Sequence, residues 1–193
     1  EFRRVLFRSE HLLRTGDAAN GVVIGYDTRF LSQSFAGAVA EVLAGNGIRC
    51  AIAASAGPTP ALSHSIVHRG AGAGIMITAS HNPGRYNGFK VKESYGSSSP
   101  PAVTRAIEES IDGIASANRV RRMALGEAQA KGLVEEFDQR GPYLAALRQL
   151  VDIESIKAAG LRILVDSMYG AGLGVTAELL AGGRSEEHTS ELQ

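Results

Sequence analysis

The stretch Ala73–Val91, AGIMITASHNPGRYNGFKV, decides the fold. Its opening, Ala73–Thr78, is an apolar run of strand length and reads as a buried strand. Ala79–Gly88 follows as a polar loop, with Asn82-Pro83 and Asn87-Gly88 as turn-forming pairs. Gly88–Val91 restarts an extended pattern and reads as a short further strand. A buried strand that ends in a rigid polar loop is the place where α/β sheets gather ligands.

Working outward, the same alternation of strand and helix recurs. Gly21–Tyr26 (GVVIGY) is a buried strand bounded by Asn20 and Asp27. Ser32 or Ser34 caps a helix through Leu43, with Phe35, Val39 and Val42 on one face and Gly45-Asn46-Gly47 as its stop. Ile48–Ala54 is the next strand. Gly57-Pro58-Thr59-Pro60 turns into a helix that starts near Pro60 and runs to about Arg69. Ser99 or Pro100 opens a helix with Val103, Ile107 and Ile111 on one face. Residues Asp112–Lys131 read as an irregular surface stretch, and Phe137–Val151 as an amphipathic helix. Leu161–Val165 is a strand, Asp166–Gly174 a Gly-rich turn and Val175–Leu180 the start of a helix. Strands alternating with helices predict a three-layer α/β/α domain, followed by the start of a second α/β unit.

Charge narrows the function classes. The 193 residues carry 20 Lys and Arg against 20 Asp and Glu, a formal net charge of zero. No basic stripe points to nucleic acid, and no apolar run reaches the roughly 18 residues of a membrane helix. Cys50 is the single cysteine, which excludes an internal disulfide and fits a reducing cytoplasm. Arg119, Arg121 and Arg122 form a basic cluster that reads as a solvated charge run.

The chemistry concentrates in the loop after the Ala73–Thr78 strand. Ser80 presents a hydroxyl, and His81 is a proton carrier or donor beside it. Lys90, beyond the Asn-Gly-Phe turn, supplies a cation or a base. A hydroxyl in a positive neighbourhood suits a phosphoryl group, because positioned charge supplies most phosphoryl-transfer catalysis. A hydrogen-bonded turn with no chemistry is the competing reading. A serine hydrolase lacks its G-x-S-x-G elbow. Gly170-Ala171-Gly172-Leu173-Gly174 lacks dinucleotide spacing and reads as a tight turn. His64 and His68 stand at metal-ligand spacing on a helix, without the His-Glu-x-x-His context, and read as one helix face.

The stretch Gly74–Val91 closely resembles the phosphoserine loop of the α-D-phosphohexomutases, the phosphoglucomutase and phosphomannomutase family. Gly25-Tyr26-Asp27-Thr28-Arg29 resembles that family's Gly-x-Asp-x-Arg segment, and Gly57-Pro58-Thr59-Pro60 its Thr-Pro turn. The resemblance implies that Ser80 carries the phosphoryl group, that Lys90 is the general acid/base and that His81 lines the same site. Arg29 and Asn82 are implied as substrate-binding. The phosphate on Ser80 would ligate Mg²⁺, and the partners would be a hexose phosphate and its 1,6-bisphosphate. Three later segments of the family have no counterpart here: an Asp-Gly-Asp-Gly-Asp-Arg metal loop, a Gly-Glu-x-Ser-Gly-His sugar loop and an Arg-Thr-Ser-Gly-Thr phosphate loop. The expectation is therefore a chain that does not turn over by itself.

Both ends read as foreign. A back-translation of Arg184–Gln193, taken on the opposite strand, encodes Leu followed by Glu1–Ser9, and the DNA is adapter-like. The expected organisation is an adapter-like segment at 1–9, a serine-bearing domain over 10–152, the start of a second domain over 153–183 and a second adapter-like segment at 184–193. That second unit is expected to expose an apolar face and an open strand edge.

Overall fold

A computed structural model describes residues 17–102, 105, 120–182 and 185–188. The centre is a five-stranded sheet in the order β4-β3-β1-β2-β5. Its strands are β1 (Val22–Tyr26), β2 (Cys50–Ala53), β3 (Ala73–Ile77), β4 (Phe89–Glu93) and β5 (Val134–Phe137). The pairs β1–β2, β1–β3 and β2–β5 are parallel, and β3–β4 is antiparallel, so the sheet is mixed. Every residue of β1, β2 and β3 is buried, as expected of strands covered on both faces.

The helices α1 (Ser32–Gly45) and α2 (Thr59–His68) make those covers. Gly25 and Gly74 lie under α2, where a Cβ at either position would run into Leu62 or Ile66. Val22, Ile24 and Tyr26 alternate with Gly25 and so point to the other face, toward α1. The core contains Ile24, Leu43, Ile48, Leu62, Ile66 and Ile75, each at most 1% exposed. After β1 the chain moves to β2, then returns across β1 to β3. Between β1 and β3 the following connections diverge, which opens a crevice at their carboxyl ends.

Four expectations need correction. Ser32 does not cap α1: Leu31, in the left-handed region at φ 62°, precedes the helix, and no side chain caps it. The Ser32 hydroxyl instead donates to Asp27 Oδ1 at 2.7 Å. The stretch expected to be irregular up to Lys131 contains the helix α3 (Leu125–Ala130), whose Ala128 is buried, and Arg122 pairs with Glu41 of α1. Val134–Phe137 is a strand, so the next helix, α4, begins at Arg140 and ends at Leu150. Finally, the strand of the second unit is not without a partner, although the expected open edge is kept on its other side among the described residues. Its strand β6 (Ile163–Asp166) pairs in parallel with β7 (Ser185–His188). Leu164 on β6 is nonetheless 71% exposed.

A short helix α5 (Ile153–Ala158) is capped by Asp152, which accepts from Ser155 N at 3.0 Å. The last helix, α6 (Val175–Leu180), is held against α4 by Arg140 Nε and Glu178 Oε2 at 2.9 Å. Val103, Ile107, Ile111, Arg119, the segment 1–9 and most of 184–193 lie outside the described residues. Among the described residues, no helix is long and apolar enough to cross a membrane.

Candidate functional site

Ser80 sits three residues past the end of β3 in the left-handed region, at φ 56°. A non-glycine residue holds that conformation only when its surroundings impose it. Here the surroundings can be named. Ser80 N donates to the buried Thr78 Oγ1 at 2.9 Å. Asn82 N donates to the Ala79 carbonyl at 3.0 Å, closing the turn. The close approach of Gly88 to the strand end admits no side chain, since a Cβ there would lie 2.7 Å from the Thr78 carbonyl oxygen.

Arg29 holds the rest of the loop. Its Nη2 donates to the carbonyls of Ser80 at 2.8 Å and Asn82 at 2.6 Å. Its Nη1 donates to those of Pro83 and Tyr86, both at 3.0 Å. Its Nε lies 3.4 Å from Asp27 Oδ2. Asp27 Oδ1 meanwhile accepts from Arg29 N and from the Ser32 hydroxyl, and Asn87 Nδ2 donates to Ser32 Oγ at 2.8 Å. The segment Asp27–Ser32 is thus a cradle for the loop of residues 80–87, built from planar, charge-assisted contacts that suit arginine. Expected at the substrate, Arg29 directs its guanidinium to the loop in this arrangement.

The other expected residues fall as follows. His81 is exposed, with Nδ1 3.4 Å from Ser80 Oγ. Asn82 is exposed on the same turn. Lys90, on β4, pairs in register with Met76 and therefore shares its face of the sheet. Met76 lines the cleft beside Ser80; Lys90 is exposed and stands beyond that lining. Lys92, two residues on, is buried and donates to the Gly96 carbonyl at 3.3 Å. Burial, and then the charge of Lys90, pulls its pKa below the usual lysine value.

The cleft measures about 360 Å³. Asp27, Thr28 and Arg29 after β1, Thr59 at the start of α2, and Thr78 and Ser80 after β3 make one side. The amino end of α2 favours negative charge there. The other side was not legible in the sequence: it is the turn of Met168, Tyr169, Gly170 and Ala171 between β6 and α6. Thr28 Oγ1 donates to the Tyr169 carbonyl at 3.0 Å and ties the two sides together. A second depression, of about 240 Å³, lies at the opposite end of β1 and β2. Its Arg69 pairs with Glu135, and its Arg49 donates to the Ala19 carbonyl, so its charges are already engaged.

A magnesium site is not complete on these residues. Among the described residues, no three His, Cys, Asp or Glu side chains converge. The carboxylate that lines the cleft, Asp27, has both oxygens engaged within the protein.

Residues 7–118 match the family model described as phosphoglucomutase/phosphomannomutase, alpha/beta/alpha domain I. A phosphoglucomutase of Staphylococcus saprophyticus is 34% identical over 161 residues, covering 82% of this chain and 29% of the relative. A phosphoglucomutase/phosphomannomutase of Thermococcus kodakarensis is 32% identical over 161 residues, covering 83% of this chain and 34% of the relative. The chain therefore spans about a third of the length of these curated relatives. A crystal structure from Thermus thermophilus, assigned as a phosphomannomutase, superposes with a TM-score of 0.80 at 33% identity, over 96% of this chain and 40% of that one. With that family model matched over more than half of its length, the chain belongs to the phosphoglucomutase/phosphomannomutase family.

Proposed function

We propose that this chain is the serine-bearing portion of an enzyme that interconverts hexose 6-phosphate and hexose 1-phosphate. The single observation that carries the reading is Ser80, left-handed at φ 56°, exposed at the cleft and clamped by Arg29. On this reading, residues 10–152 form the serine-bearing domain and 153–183 open the second. The enzyme works in the cytoplasm, in keeping with a single buried thiol.

The reaction is a double transfer. The bond between phosphorus and Ser80 Oγ breaks as phosphorus bonds to a free hydroxyl of the hexose phosphate, giving a hexose bisphosphate. The hydroxyl's proton passes to Lys90, the general acid/base, which gives it to the serine oxygen as the P–O bond to Ser80 breaks. The bisphosphate turns over, and its other phosphoryl group returns to Ser80 Oγ. His81 and Asn82 line the path, and the rigid loop supplies the positioning on which such transfers depend. One phosphate oxygen on Ser80 is the chain's own contribution to Mg²⁺ binding. Glucose and mannose phosphates are favoured over glucosamine phosphate by the Asn-Gly-Phe-Lys form of the loop. The chain alone does not complete the cycle, since it carries no metal, sugar or distal phosphate loop. A second reading, a phosphorylatable or sugar-phosphate-binding domain without turnover, keeps the same chemistry at Ser80.

The test is phosphoryl uptake. Purified chain incubated with glucose 1,6-bisphosphate gains one phosphoryl group, mapped by mass spectrometry to the Ser80 peptide, and Ser80→Ala gains none. Uptake elsewhere, or none, overturns the reading. A steady-state mutase rate above that of Ser80→Ala would show that the chain needs no further domains.

A further inference from the structure

We propose that Ser32 is a positioning residue for Ser80: its hydroxyl fastens the returning end of the serine loop to Asp27, the carboxylate that already steadies Arg29 at the leaving end. The inference rests on the reading of Ser80 as the phosphoryl carrier. It assigns a role in the same reaction to a residue that stands outside the lining of the cleft.

The first observation is a helix cap that the chain does without. Serine is among the residues best suited to cap a helix, because its hydroxyl accepts from the unpaired N–H groups of the first turn. Ser32 opens α1, yet its hydroxyl is engaged elsewhere, the residue is 1% exposed, and no side chain caps the helix in its place. The backbone also bends against preference to bring Ser32 inward. Leu31 is left-handed at φ 62°, a conformation disfavoured for a residue with a Cβ, and its large apolar side chain stays 45% exposed. Two local preferences are overridden at successive residues, and such departures gather where function constrains the chain.

The second observation is what the hydroxyl joins. Ser32 Oγ donates its one proton to Asp27 Oδ1 at 2.7 Å and accepts from Asn87 Nδ2 at 2.8 Å. The same Asp27 oxygen accepts from Arg29 N at 3.0 Å, and Asp27 Oδ2 lies 3.4 Å from Arg29 Nε. On the far side, Asn87 Oδ1 accepts from Gly88 N at 2.8 Å, and the Gly88 carbonyl accepts from Thr78 N at 3.0 Å. Thr78 Oγ1 in turn accepts from Ser80 N, while Arg29 Nη2 donates to the Ser80 carbonyl. The contacts thus form a closed circuit that begins and ends on the peptide groups of Ser80. Ser32 is the link at which the half that holds Arg29 meets the half that holds the returning strand β4.

The third is the chemistry of that link. A hydroxyl donates and accepts at once, which a position between a carboxylate and an amide N–H requires. Alanine fills nearly the same space, but it leaves Asp27 short of a donor and Asn87 short of an acceptor. Such a loss loosens the loop without removing a group that touches the ligand. A reacting atom held less well lowers the rate of transfer and leaves the affinity for the donor in place.

The rate of phosphoryl uptake at Ser80 is followed by intact mass across a range of glucose 1,6-bisphosphate concentrations. The full chain is used as wild type, Ser32→Ala, Asn87→Ala and the double variant, with circular dichroism and melting to establish that each is folded. The expected maximal rate of Ser32→Ala is about tenfold lower, the scale of one buried polar partner lost, with a half-saturating concentration within about twofold of wild type. The double variant should be no slower than the slower single variant, because one link is broken only once. A Ser32→Ala rate equal to wild type overturns the proposal, as does a raised half-saturating concentration at an unchanged maximal rate. Losses that multiply in the double variant overturn it too, since Ser32 and Asn87 would then act separately. Should Ser32→Ala fail to fold, Asn87→Ala decides by removing the same link from the loop side, and an unchanged maximal rate there overturns the proposal. Uptake by the wild type that is indifferent to Ser32 sinks this inference alone, whereas no uptake by the wild type sinks the Ser80 reading and this inference with it.

Discussion

Arg29 Nη2 donates to the backbone carbonyl of Ser80 at 2.8 Å, across 51 positions of the chain. The hydroxyl proposed to carry a phosphoryl group is therefore positioned through its own peptide rather than through its oxygen. The same guanidinium holds the carbonyls of Asn82, Pro83 and Tyr86, so the loop has one shared fastening.

Arg29→Lys follows directly. A lysine offers one compact charge in place of a planar fork and cannot span four carbonyls and a carboxylate. Charge-assisted hydrogen bonds contribute about 1.5–3 kcal/mol each, and about 1.4 kcal/mol corresponds to a factor of ten. Amide exchange over residues 80–86 should accelerate by about tenfold or more, with phosphoryl uptake at Ser80 falling in parallel. The melting temperature should move little, because Arg29 lies outside the apolar core. Unchanged exchange over the loop would show that the fastening lies elsewhere.

Stability should fall as the medium is acidified, through His64. Its ring stacks on His68 with centroids 5.3 Å apart and tilts against Tyr143 of α4. Its Nδ1 is buried with no hydrogen-bond partner. Burial, then the charge of His68, lowers its pKa from the ordinary histidine value. The folded state therefore disfavours the proton, while the unfolded chain takes it up near pH 6.5. The contribution is complete above about pH 6.5 and is lost as the pH drops below it. Thermal melts between about pH 7.5 and pH 5.5 should show the decline, and His64→Gln should flatten part of it. A profile identical to wild type in that variant would refute the assignment.

Cys50 offers a separate readout of the sheet. Its thiol is buried on β2, and desolvation pushes its pKa up to about 12. The thiolate is the reactive form, so the native protein should resist alkylation near pH 8 and react at once when unfolded. Iodoacetamide labelling followed by intact mass would measure this. Fast labelling of the folded chain would mean that β2 is not covered as described.

The sheet's first three strands were legible because both faces are covered. Gly21–Tyr26 and Ala73–Thr78 are continuous apolar runs, which a strand buried between two helical layers requires. Val134–Phe137 escaped because it is an edge strand. Its Val134 and Phe137 are buried, whereas Glu135 and Glu136 between them are exposed, a pattern that mimics neither a buried run nor strict alternation. The start of α4 had a readable sign in Asp138, whose carboxylate accepts from Arg140 N and Gly141 N. At the site, Ser80, His81 and Asn82 come together because they are adjacent in the chain. Arg29 could be placed near them but not assigned its partners, since main-chain carbonyls leave no mark in a sequence. The Tyr169 turn lay 141 positions from Thr28, and only the folded chain brings them together.

The antiparallel pairing of β3 and β4 sets a rule for variation in this region. Ser80 leaves one arm of a hairpin and Lys90 sits on the other, opposite Met76. Side chains alternate between the faces of a strand, so a residue inserted or deleted between 81 and 87 that slips the pairing by one turns Lys90 to the opposite face. The residues of that connector are replaceable wherever they bond through their backbone; its length is not. Sequences descended from the same ancestor should therefore tolerate substitutions there far more readily than gaps.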